Sequence, residues 1–199
     1  MILDIIRIIV PGIILGIFVG RLIFERPSYI ELIKPKNWIK KASQLKGKDW
    51  VKLIFFSLLF GILSYVIIGQ LQSLIVPTLG ETITPGDNIF YKMASLWIPL
   101  LFISITILPI FEEWIFRGII LEEISKRSKS KYLGLIISAG LFAILHLTNP
   151  GTQLPSLIIY FVGGLILGST YIVGGLKMAV FTHIFYNISP FVIPILLSI

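Results

Sequence analysis

The sequence contains no cysteine and only two histidines among its 199 residues. The absence of cysteine excludes disulfide bonds, thiolate metal sites, a cysteine nucleophile and the attachment of a lipid to this chain through sulfur. Acidic residues are also few, 10 against 17 lysines and arginines, and the formal net charge is +7. Carboxylates and imidazoles are therefore rare enough in this chain for the position of each one to be informative.

Apolar residues are abundant, since 56% of the chain is hydrophobic and a soluble domain is about 45–50% apolar. The sequence contains long hydrophobic segments, which predict membrane-spanning helices because open strands cannot satisfy their backbone hydrogen bonds in lipid. We expect an all-α membrane protein, a polytopic helical bundle of about six to eight transmembrane helices in one integral membrane domain. The segments lie at about residues 2–24, 51–76, 89–121, 132–148, 155–173 and 176–199.

The positive charge is concentrated in two loops, residues 25–50 and 122–131, whereas the segment 77–88 carries only Glu81 and Asp87. Basic loops mark the cytoplasmic side of a membrane protein, and juxtamembrane lysines bind anionic head groups. We therefore predict that the lipid bilayer, and not nucleic acid, is the partner of this charge.

Two segments are irregular because they contain prolines, which remove a helical hydrogen bond. Pro109 is expected to divide a spanning helix from the segment that follows it. Pro190 and Pro194 are expected to end the last span near residue 189. The polar stretch 34–49 is expected to hold an interfacial helix containing Trp38 and Trp50.

The third hydrophobic segment carries Glu112, Glu113 and Arg117 among isoleucines and aromatic residues. An ionisable side chain at membrane depth costs about 2.5–3.5 kcal/mol on insertion scales and by default marks a functional site. Residues four apart share a helix face, whereas neighbours lie about 100° apart. Glu113 and Arg117 are therefore predicted to form an ion pair, and Glu112 to face another helix.

The same spacing recurs where the two histidines lie. Phe142 and His146 share one helix face, and His183 and Asn187 share another. A rise of 1.5 Å per residue puts Glu112, His146 and His183 about 17, 20 and 9 Å from the cytoplasmic ends of their helices. Their polar groups are expected to meet in one layer that opens toward the cytoplasm.

Such a set of groups can hydrolyse an amide without a covalent intermediate. A carboxylate and an imidazole that flank one water can deprotonate it for attack on a carbonyl. A histidine and an asparagine can hold the oxyanion of the tetrahedral intermediate. The expected activity is that of a peptidase or an amidase.

In order along the chain, Glu112-Glu113-x-x-Phe116-Arg117-Gly118, Phe142-x-x-x-His146 and His183-x-x-x-Asn187 resemble the three motifs of one family. This is the CAAX protease and bacteriocin-processing (CPBP, or Abi) family, which includes the type II CAAX prenyl endopeptidases. The resemblance covers roughly residues 100–190. Residues 1–90 would then form N-terminal spans with a basic cytoplasmic loop, and residues 91–199 the CPBP-like catalytic core.

The resemblance implies an intramembrane endopeptidase of the glutamate type, with no metal and no cofactor. Glu112 and His146 would activate the water, and His183 and Asn187 would form the oxyanion hole. Glu113, Arg117 and Phe142 would support the site. The substrate would be a peptide or a membrane protein, cleaved near the cytoplasmic face, and the oligomeric state stays open. The high lysine and isoleucine content is typical of a bacterial cell membrane protein, and similar bacterial members serve bacteriocin processing or immunity.

Other interpretations remain open from the residues alone. Glu122-Glu123-x-x-x-Arg127 repeats the first motif at a charged helix end, where a solvated face is expected. A zinc site built from Glu112, His146 and His183 would give a zinc-dependent version of the same protease. A non-catalytic bacteriocin-immunity or scaffold protein could bind a partner in the same cavity. A transporter is disfavoured because no inverted repeat is visible.

Overall fold

The computed structural model describes residues 2–78, 97–146, 148 and 156–198, without the side chains of residues 2–8, 42, 76 and 78. The predicted outer segment 77–88 therefore lies almost wholly outside the described residues. All regular structure within these ranges is helical. We number the helices α1 (Ile2–Glu25), α2 (Ser28–Glu31), α3 (Pro35–Ser43), α4 (Gly47–Thr78), α5 (Ile98–Ser128), α6 (Lys131–His146) and α7 (Ser156–Leu197).

The protein is an all-α membrane protein, as predicted. Within the described part, three helices are long and apolar enough to span a bilayer, namely α4, α5 and α7, and α6 is a shorter apolar helix. Residue 175 divides α7 into two stretches, since Gly175 has φ 73°. Glycine adopts this left-handed backbone at little cost because it has no Cβ. The predicted total of six to eight spans stays a prediction.

The prediction that Pro109 interrupts its helix is wrong, because α5 is continuous from Ile98 to Ser128. The segment Ile103–Ile107 is π-helical, and Pro109 comes second in the α-helical segment that follows it. In a π turn hydrogen bonds run to the fifth residue back instead of the fourth, so the regular bond that a proline removes is already altered there. The wide π turn therefore allows the helix to continue through the proline.

The expected end of the last span near residue 189 is also wrong. The second stretch of α7 continues through Pro190 and Pro194 to Leu197. Prolines are tolerated in membrane helices when neighbouring groups or local backbone adjustments satisfy the freed carbonyls. The helix consequently extends well beyond Asn187.

The basic loop 25–50 contains the short helices α2 and α3. Trp38 lies in α3, as expected for an interfacial helix, but Trp50 belongs to α4. The indole of Trp38 donates to the carbonyl of Leu32. This bond holds α3 against the chain that leads out of α2.

The second E-E-x-x-x-R copy is only partly the solvated face that we expected, since Arg127 is 60% exposed whereas Glu123 is buried. Glu123 is 2% exposed, and its carboxylate accepts a hydrogen bond of 2.6 Å from the hydroxyl of Tyr29. Arg127 and Arg26 contact the same carboxylate at 2.5 and 3.2 Å. Because a carboxylate at a helix end can turn toward a folded loop, its position in the sequence did not determine its exposure.

The helices pack closely through small residues, which is how membrane helices associate where lipid is as apolar as the core. A Cβ on Gly164 of α7 would lie 2.9 Å from the Cα of Ala139 in α6. A Cβ on Gly168 would lie 2.3 Å from Leu135 Cδ1. Gly164 and Gly168 therefore set the distance between α6 and α7, and bring α7 against the charged part of α5.

Candidate active site

An ion pair within α5 forms the base of the site. Arg117 Nη1 donates to Glu113 Oε1 at 3.0 Å, and both side chains are fully buried. This is the pair that the four-residue spacing predicted. The second nitrogen of the fork, Nη2, donates to the carbonyl of Gly164 at 3.0 Å. The guanidinium therefore links α5 to the backbone of α7.

His183 lies between the two glutamates. Its Nδ1 is 2.8 Å from Glu113 Oε1, and its Nε2 is 3.7 Å from Glu112 Oε2. Glu113 thus holds both the guanidinium and one edge of the imidazole. The other edge faces Glu112 at a distance that leaves a direct hydrogen bond unformed.

The two adjacent glutamates differ in exposure. The side chain of Glu113 is 0% exposed, whereas that of Glu112 is 30% exposed. Residues one apart on a helix point about 100° apart, so one carboxylate enters the packed interior and its neighbour borders open space. Glu112 is the carboxylate that a water or a substrate can reach.

His146 lies at the last residue of α6 and carries a defined tautomer. Its Nδ1 is 2.8 Å from the carbonyl oxygen of Phe142. A carbonyl only accepts hydrogen bonds, so Nδ1 carries the proton and Nε2 of the neutral ring keeps its lone pair. Its ring packs against that of Phe142, which also lies near His183, so His146 borders the same polar cluster.

Phe142 lies close to residues of all three motifs. Its ring centroid is 4.1 Å from that of His146 and 6.2 Å from that of His183. The guanidinium carbon of Arg117 lies 4.6 Å from the same ring centroid, a cation–π geometry. Phe142 therefore joins the three motifs as a wall residue, as its spacing from His146 suggested.

Asn187 lies one helical turn beyond His183 and is 5% exposed. Within the part of the chain that the structure describes, its amide makes no hydrogen bond to protein. A buried primary amide has two N–H donors. Asn187 is therefore positioned beside His183 with both donors unused among the described residues.

The structure brings the predicted residues together from three helices, but sequence reasoning missed two of its features. Tyr160 packs on the other side of His146, with ring centroids 4.6 Å apart. The carbonyl of Gly164 accepts from Arg117. A tyrosine inside an apolar segment was a visible signal, whereas a backbone acceptor leaves no trace in a sequence.

The positions of these side chains are relevant to the alternative of a zinc site built from Glu112, His146 and His183. Among the described residues, no group of three or more His, Asp or Glu side chains is arranged to hold a metal ion. His183 Nδ1 is turned to Glu113, and His146 Nδ1 to a backbone carbonyl. The ring nitrogens available for other partners are the two Nε2 atoms.

Comparison with known proteins gives a family match for the segment that carries this site. No curated protein and no solved structure gives a significant match to the chain. The family described as "Type II CAAX prenyl endopeptidase Rce1-like" matches residues 93–189, which include all three motifs. With its long apolar helices, this is an integral membrane protein. Over residues 93–189 the chain is similar to a protease family, the Rce1-like type II CAAX prenyl endopeptidases.

Proposed function

We propose that this protein is a glutamate-type intramembrane endopeptidase that hydrolyses a peptide bond near the cytoplasmic membrane face. One observation carries the proposal. Of two adjacent carboxylates, Glu113 is buried with Arg117 and His183, while Glu112 is partly exposed and borders His183 at 3.7 Å. This difference supports a positioning role for Glu113 and the catalytic role for Glu112.

Glu112 and His146 act together on the water. The carboxylate of Glu112 accepts a proton from it, and Nε2 of His146 supplies a second acceptor, because Nδ1 is occupied by the Phe142 carbonyl. General base catalysis of this kind contributes about 10²–10⁴-fold to a rate. The hydroxide then attacks the carbonyl carbon, and the π electron pair of the carbonyl moves onto its oxygen.

His183 and Asn187 stabilise the resulting oxyanion. A His183 that carries protons on both ring nitrogens donates to Glu113 through Nδ1–H and offers Nε2–H to the oxyanion, next to the amide of Asn187. Donors that are already oriented in a water-poor site are worth about 2.7–4 kcal/mol each.

Collapse of the intermediate completes the reaction. The oxyanion re-forms the carbonyl, the C–N bond breaks, and Glu112 returns the proton taken from water to the leaving amine. Water has then been divided between the two products, and the enzyme is unchanged. This balance needs no metal, cofactor or covalent intermediate.

The substrate class that fits is a peptide or a membrane protein presented at the cytoplasmic face. We do not extend the proposal to prenylated substrates, because no described feature selects a prenyl chain. Bacteriocin processing or self-immunity in a bacterial cell membrane is the expected setting.

The test is cleavage of a labelled peptide library by the purified protein in detergent. Glu112→Gln and His146→Ala are each expected to lower the rate by at least about 100-fold. Glu122→Gln is the matched control, since Glu122 lies ten residues further along the same helix, is 34% exposed and binds Tyr171 instead. Its rate is expected to equal that of the wild type.

Three outcomes contradict the proposal. Full activity of Glu112→Gln would remove the glutamate mechanism. Loss of cleavage on adding a chelator, with recovery on adding zinc, would replace it by the zinc-dependent version. If immunity to a bacteriocin persists in cells carrying Glu112→Gln, the protein acts there as a non-catalytic binder.

A further inference from the structure

A cavity of about 460 Å³ lies where α3, the first turns of α4 and the bend of α7 meet. Among the described residues that line it, none belongs to the candidate active site. It is large enough for a small ligand, since ligand pockets measure about 300–1,000 Å³. Its lining includes Trp38, Lys41, Lys52, Phe56 and Lys177.

Three lysines from three different helices face this cavity: Lys41 from α3, Lys52 from α4 and Lys177 from α7. None of them belongs to an ion pair with a carboxylate among the residues that the structure describes. Lys177 lies 5.9 Å from the ring centroid of Trp50, a loose cation–π contact. Converging ammonium groups without a carboxylate partner are suited to a phosphate or another anion.

The acidic residues at the same cavity only partly neutralise these lysines. Glu31 is engaged by Lys34, and its carboxylate also accepts from the amide of Asn37 at 2.8 Å. Asp49 lies in the first turn of α4, where the helix dipole favours a negative charge. The cavity therefore keeps a positive excess of two from three lysines and one aspartate.

Below the lysines the wall becomes apolar. Leu53 and Phe56 follow Lys52 along α4, and the side chain of Phe56 is 44% exposed. Met178 follows Lys177 in α7. From Asp49 to Phe56 the change from charged to apolar lining takes about 10 Å along the helix. A ligand with a charged head and an apolar body matches this gradient.

We propose that this cavity binds the phosphate headgroup of an anionic phospholipid, with an acyl chain along Phe56. The basic loop that forms it is the one that the positive-inside rule places at the cytoplasmic leaflet, where anionic lipids attract juxtamembrane lysines. A soluble phosphate ester would use the lysines but leave the apolar wall unused. The site is separate from the proposed protease function and does not depend on it.

Native mass spectrometry of the full chain in a mild detergent tests this site. The protein is titrated with dioleoylphosphatidylglycerol, dioleoylphosphatidylcholine and glycerol 3-phosphate. The double variant Lys41→Gln/Lys177→Gln removes two cavity lysines. Lys36→Gln/Lys40→Gln is the matched control, since both lysines lie in α3, are exposed and do not line the cavity.

We expect the first phosphatidylglycerol to bind about 10- to 30-fold more weakly to the cavity variant, and within about twofold of wild type to the control. Lys41→Arg/Lys177→Arg keeps both charges and is expected to retain the lipid, which separates loss of charge from misfolding. Equal weakening in the two glutamine variants would overturn the site. Equal binding of phosphatidylcholine, or of glycerol 3-phosphate, would overturn its assignment to an anionic phospholipid.

Discussion

Helix α5 carries the E-E-x-x-x-R pattern twice, ten residues apart, and the two copies have different structural roles. In both, the second glutamate pairs with the arginine four residues later, Glu113 with Arg117 at 3.0 Å and Glu123 with Arg127 at 2.5 Å. In the first copy the arginine is fully buried, whereas Arg127 is 60% exposed. The pattern itself therefore encodes a helical ion pair, and the surroundings decide what that pair is used for.

The partners of the glutamates show this difference most clearly. The first copy meets an imidazole, His183, whose two ring nitrogens can each donate or accept a proton. The second copy meets two tyrosines, Tyr171 on Glu122 and Tyr29 on Glu123. Burial raises the pKa of Tyr29, and its hydrogen bond to Glu123 raises it further. A phenol held in this way stays protonated, so the second copy fastens the α1–α2 loop to α5 and does no proton chemistry.

The largest expected effect is on Arg117. Arg117→Ala leaves the Glu113 carboxylate buried without its cation, and breaking such a pair costs about 3–5 kcal/mol. We expect a correspondingly lower free energy of unfolding and loss of peptide cleavage. Equilibrium unfolding in mixed micelles measures the first quantity. Arg127→Ala is the control and should lose much less stability and keep its activity; equal losses would show that the two copies are equivalent.

Gly164→Ala tests the first copy through α7, where the carbonyl of Gly164 accepts from Arg117. The new Cβ would lie 2.9 Å from Ala139 Cα, and overpacking of this kind costs about 1–3 kcal/mol. It would also shift the carbonyl that accepts from Arg117. Gly163→Ala is the matched control, because its Cβ would be 3.8 Å from Ile68 Cδ1, an ordinary contact. Unfolding in micelles distinguishes them, and a stable Gly164→Ala would contradict the close approach.

Tyr29→Phe tests the second copy. The variant removes one hydrogen bond to a buried carboxylate, which is worth about 1.5–3 kcal/mol. Arg26 and Arg127 remain as partners of Glu123, so we expect the low end of this range. Peptide cleavage should continue at the wild-type rate in the folded protein. Loss of activity at unchanged stability would mean that the second copy takes part in the reaction.

The smallest effect is expected for Tyr171→Phe. Its hydroxyl donates to Glu122 at 2.9 Å, but Glu122 is 34% exposed and also pairs with Lys126 at 3.3 Å. Partly exposed interactions of this kind contribute up to about 1 kcal/mol. The free energy of unfolding should change by no more than this. A larger loss would show that Glu122 depends on its tyrosine no less than Glu123 does.

Spacing in the sequence predicted those contacts that lie within one helix. Glu113 with Arg117 and Phe142 with His146 follow from the helical repeat alone. Contacts between helices required the fold: neither His183 on Glu113 nor Tyr29 on Glu123 has a fixed separation in the sequence. The convergence of three polar helices could be proposed from residue depth, but the bonding pattern could not.

The errors at the helix ends have a related cause. A regular α-helix has no place for Pro109, which is why a break is expected there, yet the preceding π turn accommodates the ring. Glu123 is expected in solvent because charged residues surround it in the sequence, yet it is buried. Backbone register and the return of a loop are both tertiary effects, and local propensity does not report them.

The π-helical segment Trp114–Leu121 lies between the paired glutamates of the two copies. Its geometry therefore determines the direction in which the second copy points relative to the first. A wider turn takes more residues for the same rotation than the α-helix does. The direction in which Glu123 points therefore depends on how many residues precede it. If the segment became α-helical at the same length, its eight residues would turn the second copy further relative to the first, because an α-helical residue turns the chain by about 100° and a π-helical residue by less. One copy or the other would then face the wrong neighbour. In this helix chain length is itself a determinant of the site.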